Sequence, residues 1–356
     1  LNMYRIEEAS MKTLNLPITY PPIASFPCHA FYLSIMGNHD VCSPWIYSHY
    51  VHYAMYFGND FILPDYIVPH PEYHYNPWFY SHSQRLTRNT VFKLAPARPE
   101  FIRFLKEALS DGYYVYIHID EYYIPGTVSY QTKRFPHAML LYGFDDEAGC
   151  FNTAGFFKQG AANKYSFSQT TYDQLHQAFV NCETDYEYLN FMHLYKLNPQ
   201  GHNGHVPGFE TETLIRSIDD FLQSARPSST LLDIPPFAPV THVAYGLNTY
   251  DRLAEALDNK LFENRTYYLI WEHKQFMLKR IQYLSEQGGL GDMEAIYQQF
   301  KQIGTDAEVC LKLLLKYAMS EDARLLHRVQ LKLEQMRSSE QTALKHLKDH
   351  LFLRPC

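Results

Sequence analysis

The feature that most constrains this chain is a change in the spacing of its apolar residues near "NPQGHNGHVPG", Asn198 to Gly208. Before it lie short runs rich in β-branched and aromatic residues: "YYVYIHI" (Tyr113 to Ile119), "HAMLLYGF" (His137 to Phe144), "CFNTAGFF" (Cys150 to Phe157) and "LNFMHLYKL" (Leu189 to Leu197). Runs of this kind read as strands, and the turn-like "DDEAG" between the second and third predicts a hairpin. After the junction, apolar residues recur three and four apart through "ETETLIRSIDDFLQSA", "NTYDRLAEALDNKL", "YYLIWEHKQFMLKRIQYLSEQ", "DMEAIYQQFKQI", "DAEVCLKLLLKYAM" and "EDARLLHRVQLKLEQMRSSEQTALKHLKDHL". That is the period of helices with one buried face. The Gly/Pro/Asn-rich junction has no period, so it marks a boundary. Residues 1–200 are expected to form an α+β domain with an antiparallel sheet, and residues 201–356 a mainly helical one. The proline-rich "DIPPFAPVTHVAYG" (Asp233 to Gly246) is expected to be extended.

Helix signals also occur in the first half. "SPWIYSHYVHYAMYFG" places Ser43 as an N-cap before Pro44, and "RPEFIRFLKEALSDG" combines Pro99 with a terminal Gly112. Proline near the start and glycine past the end suit the unsatisfied groups of helix termini. Both segments are expected to be helical.

Composition then excludes some functions. A net charge of −7 argues against nucleic acid as the main partner, since phosphate binding needs a dense Lys/Arg surface. There is no run of about 18 apolar residues and no signal-peptide pattern, so the expected location is cytoplasmic, without a membrane partner. The six cysteines contain no C-x-x-C pair, which points to neither a disulfide framework nor a thiolate zinc site. The 30 Tyr and 23 Phe favour large apolar contacts with polar handles.

One thiol stands out by position. In "ASFPCHAFYLSIM", Cys28 follows a proline and falls in the first turn of an apolar helix. Backbone N–H groups and the positive dipole end there stabilise a thiolate, and the same groups can hold an oxyanion. A thiol nucleophile also needs a base, and His137 begins the strand "HAMLLYGF" after a loop. A cysteine on an early helix with a distant strand histidine is the layout of papain-like enzymes. The competing reading is a small buried cysteine with a structural role.

The segment "GYYVYIHIDEYYIPGTVSYQTKRFPHAMLLYGFDDEAGCF", taken with the early Cys28, resembles the butirosin biosynthesis protein H family. In that family an Asp-x-Tyr-Tyr strand end leads through a loop to a histidine, an apolar strand and a Tyr-Gly-Tyr/Phe-Asp turn. "YYLIWEHKQFMLKRIQYL" is similar to a helix of the same relatives. The resemblance implies a papain-like fold used for acyl transfer, from a carrier protein's phosphopantetheine thioester, through a cysteine thioester, to an amine. No cofactor is then bound by the chain itself. The implied partners are a carrier protein or synthetase module and an amine acceptor.

Carried over by motif, Cys28 is the nucleophile and His137 the base, while Asp120 matches the strand-end Asp. Tyr122 and Tyr123 become substrate-binding candidates. Papain-like enzymes usually place a Gln before the Cys, but this chain reads "PPIASFPC", which leaves backbone N–H groups or Ser25 for the oxyanion. For orienting the imidazole, Asn152 is the candidate on the following strand, with Asp120 its competitor. Water in place of the amine gives a thioesterase or peptidase. A structural Cys28 gives a non-catalytic, synthetase-associated binding protein.

Other patterns carry less. The histidine pairs His49 and His52, His70 and His74, and His202 and His205 lack a third ligand pattern, so no metal site is expected. "WEHKQF" is expected to put Glu272, His273 and Lys274 on a polar helix face. The irregular stretch through "HPEYHYNPW" and "NPWFYSHSQRLTRN" reads as a surface loop, or as a lid over the site.

Overall fold

A computed structural model describes residues 12–68, 76–79, 83–160, 162–185, 189–201, 203–227, 240–288 and 293–352. The strands are β1 (Thr13–Asn15), β2 (Tyr53–Phe57), β3 (Ile62–Tyr66), β4 (Gln84–Thr87), β5 (Tyr114–Asp120), β6 (Pro136–Asp145), β7 (Cys150–Gln159), β8 (Ala162–Thr171), β9 (Phe191–Tyr195) and β10 (His242–Tyr245). The first five α-helices are α1 (Pro27–Met36), α2 (Ser43–Ser48), α3 (Arg88–Leu94), α4 (Arg98–Ser110) and α5 (Tyr172–Val180). The rest are α6 (Thr211–Gln223), α7 (Asn248–Asp258), α8 (Asn264–Glu286), α9 (Glu294–Ser320) and α10 (Ala323–Phe352). No helix among the described residues is long and apolar enough to cross a membrane.

These elements form two compact units, Leu1–Asp40 with Asn76–His205, and Val41–Tyr75 with Val206–Cys356. The second unit thus begins its main run close to the expected boundary at 200/201. It also takes in Val41–Tyr75, a segment whose sequence gave no sign of belonging there.

The first unit is mixed α+β, built on an antiparallel sheet in the order β4-β9-β5-β6-β7-β8, with β1 paired to β6. The expected β6–β7 hairpin forms through the "DDEAG" turn. Alternation along each strand separates two faces. On one, Val115, Ile117 and Ile119 of β5 and Met139 and Leu141 of β6 pack with Phe101 of α4 and Leu175 and Phe179 of α5. Each such side chain contributes roughly 1.5–3 kcal/mol of burial.

The other face carries α1. Phe31 meets Tyr116 edge-on at 5.4 Å between ring centroids, Tyr32 donates to the Tyr195 hydroxyl at 2.5 Å, and Ser34 Oγ lies 2.7 Å from the Tyr165 hydroxyl. Strand β8 and helix α5 carried no expectation. Their junction is a capping box, in which Thr171 Oγ1 accepts from Gln174 N while the Gln174 side chain accepts from Thr171 N.

The second unit pairs β10-β2-β3 and is otherwise helical. The helix expected over 43–58 is cut short at Ser48, where His49 Nδ1 bonds to Trp45 O at 2.8 Å. Tyr50, with φ 61°, leaves the helical region. The following "YAMYF" is a strand buried at all five positions, because partners on both edges override a local helical pattern. The two helices expected over "DMEAIYQQFKQI" and "DAEVCLKLLLKYAM" are one, α9. Gly304 in its middle is a close-packing residue: a Cβ there would stand 2.9 Å from Gln275 Nε2 of α8.

Glu272, His273 and Lys274 are buried, contrary to the polar face expected of them. Lys274 Nζ ion-pairs with Glu340 and donates to His273 Nδ1 at 2.9 Å, while Tyr250 donates to Glu340 Oε2 at 2.6 Å. His273 Nε2–H donates to Val51 O at 2.8 Å, so the ring is neutral, and burial beside Lys274 holds its pKa well below the ordinary value. His273 and Lys274 thus find their polar partners inside the unit, which is how such residues occupy a buried helix face.

Candidate active site

Helix α1 starts because Pro27 fits the first helical position and Phe26, at φ −136° and ψ 141°, turns the chain in from extended backbone. Cys28 is the second helical residue and half-buried, and no disulfide forms among the described residues. Ser34 O accepts from Thr19 N, while nearby Leu16 N donates to Tyr142 O and Pro17 O accepts from the Tyr114 hydroxyl. The C-terminal end of α1 is thereby tied toward the Tyr114–Tyr142 end of the sheet. Its first turn, with Cys28, points toward the other end, where β5 finishes and β6 begins.

His137 stands at that end. The register sets it opposite Ile119, and Asp120 opposite Pro136. Strand β5 ends at Asp120, and Glu121 opens the 3₁₀ turn that follows, so the two acids meet different partners. His137 Nδ1 accordingly lies 2.7 Å from Glu121 Oε1, with the carboxylate almost wholly buried and the imidazole about one-quarter exposed. The ring also meets Phe135 at 5.4 Å and Phe156 at 5.7 Å. Strand β7 pairs with β6 only from Leu140↔Ala154 onward, so the imidazole occupies a splayed mouth between the two strands.

Asp120 has a different task. Its Oδ1 accepts from Tyr122 N and Phe135 N, both at 3.0 Å, and its Oδ2 pairs with Arg134, which also donates to Asn181 O. It staples both ends of the loop that carries Glu121. Tyr122 and Tyr123 lie on that loop in the short 3₁₀ turn Glu121–Tyr123, with rings 5.1 Å apart, and Tyr123 also packs on the core. Ser25 is buried in the bend before α1.

Asn152, the candidate for orienting the imidazole, is engaged elsewhere. It pairs opposite Gly143, bonds Asn15 and Gln169, and lies four residues along β7 from Phe156, about 13 Å. The reason is the register: Leu140↔Ala154 puts the residues after Ala154, not Asn152, level with His137; "YGF" is part of β6 rather than a turn. The carboxylate at His137 is Glu121. The signal for it in sequence was only its place beside Asp120, just past the end of the strand that pairs with His137.

Nearby His118 is fully buried, and burial pushes its pKa down to about 4, with Arg88 and His137 adding to the effect. It is neutral, donating from Nδ1 to Phe191 O at 3.2 Å. Among the described residues, no group of three or more His, Cys, Asp or Glu is placed to hold a metal ion. His70, His74 and His202, and much of the expected lid, lie outside the described residues.

No protein-family model matches this chain, and no curated protein does.

Proposed function

We propose that this chain is a papain-like cysteine acyltransferase. Cys28 takes an acyl group from a carrier-protein thioester and passes it to an amine, in the reducing setting of a cytoplasm. The observation that carries the reading is the buried Glu121 carboxylate 2.7 Å from His137 Nδ1. A carboxylate there fixes the Nδ1–H tautomer and leaves Nε2 as the base, which is the division of labour in acid–histidine–nucleophile sites. A thiol in the first turn of a helix directed at the same end of the sheet supports it.

In the first half-reaction, His137 Nε2 takes the Cys28 proton and the thiolate adds to the thioester carbonyl. The collapsing intermediate expels the donor thiolate, which leaves with the proton from the imidazolium. The amine then attacks the Cys28 thioester, its proton passes to Nε2, and Cys28 is released as the thiol once that proton is returned. Glu121 stabilises the imidazolium in both halves. The first-turn N–H groups of α1 offer donors to the oxyanion in place of the missing Gln.

Intact-mass analysis with an acyl thioester donor tests this. An acyl adduct on the wild type that is absent from Cys28→Ala and discharged by added amine supports the transferase. Discharge unaffected by every amine supports hydrolysis on the same residues. An adduct persisting in Cys28→Ala overturns the nucleophile.

A further inference from the structure

On the α1 side of the sheet, the register lines up one position from each of four adjacent strands: Asn15↔Gly143, Gly143↔Asn152 and Asn152↔Gln169. Gln169 Nε2–H donates to Asn152 Oδ1 at 3.0 Å, and Asn152 Nδ2–H donates to Asn15 Oδ1 at 2.6 Å. Gly143 makes this possible. A Cβ there would sit 2.6 Å from Asn15 Oδ1 and run into the Leu14 carbonyl, so only glycine lets the Asn15 amide cross β6. The three amides line a cleft of about 460 Å³, with Tyr142 and Asp145 beside them.

A primary amide has two N–H donors and a carbonyl with two lone pairs. The row spends one donor each from Gln169 and Asn152. It leaves Asn15 Nδ2 as a donor at one end and Gln169 Oε1 as an acceptor at the other, and among the described residues neither has a protein partner. Hydrogen bonds in a chain polarise one another, so these ends are better donors and acceptors than isolated amides. The two ends belong to β1 and β8, three strand spacings of about 4.8 Å apart, or roughly 14 Å at the backbone. A single amide is too short for that span, whereas successive amides of an extended chain present C=O and N–H groups over it. The Asp145 carboxylate at the rim disfavours an anionic ligand.

We propose that this row is a binding subsite for an uncharged, peptide-like chain carrying secondary amides. A run of rings leads from it along the same face: Tyr142–Phe167 at 5.8 Å, Phe167–Tyr165 at 5.9 Å, Tyr165–Phe156 at 5.8 Å, and Phe156–His137 at 5.7 Å. Given the reading of Cys28 and His137 above, on which this extension rests, the ligand is the acyl chain itself. Its amides then lie on the row and its reacting carbonyl at the histidine.

The test is titration of the whole chain with N-acetyl-glycyl-glycine methylamide, followed through the side-chain NH₂ resonances of Asn15, Asn152 and Gln169. Saturable shifts are expected, and an analogue with one central N–H replaced by an ester oxygen binds about fivefold more weakly. Gln169→Leu, at an exposed position, is expected to weaken binding at least as much while leaving the remaining spectrum in place. Cys28→Ala is expected to bind as the wild type does, so the subsite is decided even if every thioester proves inert. No saturable shift, equal binding of the ester analogue or of glucose, or undiminished binding by Gln169→Leu would each overturn the proposal.

Discussion

His137 Nδ1 and Glu121 Oε1 are 2.7 Å apart, and the carboxylate belongs to the residue directly after the strand-end Asp120. Two adjacent acids therefore do different work. The pair separates two roles that a motif alone would merge.

Glu121→Gln keeps the shape but removes the charge that stabilises an imidazolium. Acyl-enzyme formation is expected to slow by about 10²–10⁴-fold, with little change in stability. Stopped-flow consumption of an acyl thioester, read beside a thermal melt, measures both.

Asp120→Ala is expected to show the opposite balance. It strands two backbone N–H groups and unpairs Arg134, and the loss is on the order of 2–4 kcal/mol in urea unfolding. Arg134 is half exposed and can rehydrate, which keeps the figure toward the lower end.

Lys274→Met is expected to destabilise by about 3–5 kcal/mol, because it leaves the fully buried Glu340 carboxyl without its cation. The double variant Lys274→Met/Glu340→Gln, which keeps an acceptor for Tyr250, is expected to recover much of that loss. Denaturant midpoints of the two single variants and the double form the cycle.

Acid stability follows from buried histidines. His118 and His52 have pKa values lowered to about 4, both chiefly by burial. The unfolded chain protonates them near the ordinary 6.5, so between that pH and about 4 it binds more protons than the folded chain. Stability therefore falls as pH drops through this window, by up to about 1.4 kcal/mol per pH unit for each histidine, and flattens below it. Urea unfolding from pH 7.5 to 4.5 reads the slope, and His118→Asn is expected to reduce it.

The parts legible in sequence were those fixed by local chemistry. Pro27 and the apolar run after Cys28 specified α1, and β-branched runs around "DDEAG" specified the β6–β7 hairpin. What escaped depended on partners distant in the chain. "YAMYF" is a strand because β3 and β10 flank it, and His273 and Lys274 are buried because Val51 and Glu340 receive them. Asn152 carries nothing in its own neighbourhood to announce Asn15, 137 residues earlier. Glu121 was overlooked for another reason: its neighbour Asp120 fitted a motif, while its own position was set by the 3₁₀ turn that follows β5.

The membership of Val41–Tyr75 in the second unit has a consequence for how the chain is made. Thr241 N and Oγ1 both donate to Phe57 O, groups 184 residues apart. At ribosomal speeds of about 5–20 residues per second, strand β2 waits roughly 10–40 s for β10 to be synthesised. Through that interval its fully apolar "YAMYF" presents an unpaired edge, the kind of surface that chaperones hold and that concentrated chains share with one another. Shortening the chain at the Asn198–Gly208 junction would make that interval permanent. A fragment ending there is expected to associate through β2 rather than behave as an isolated domain.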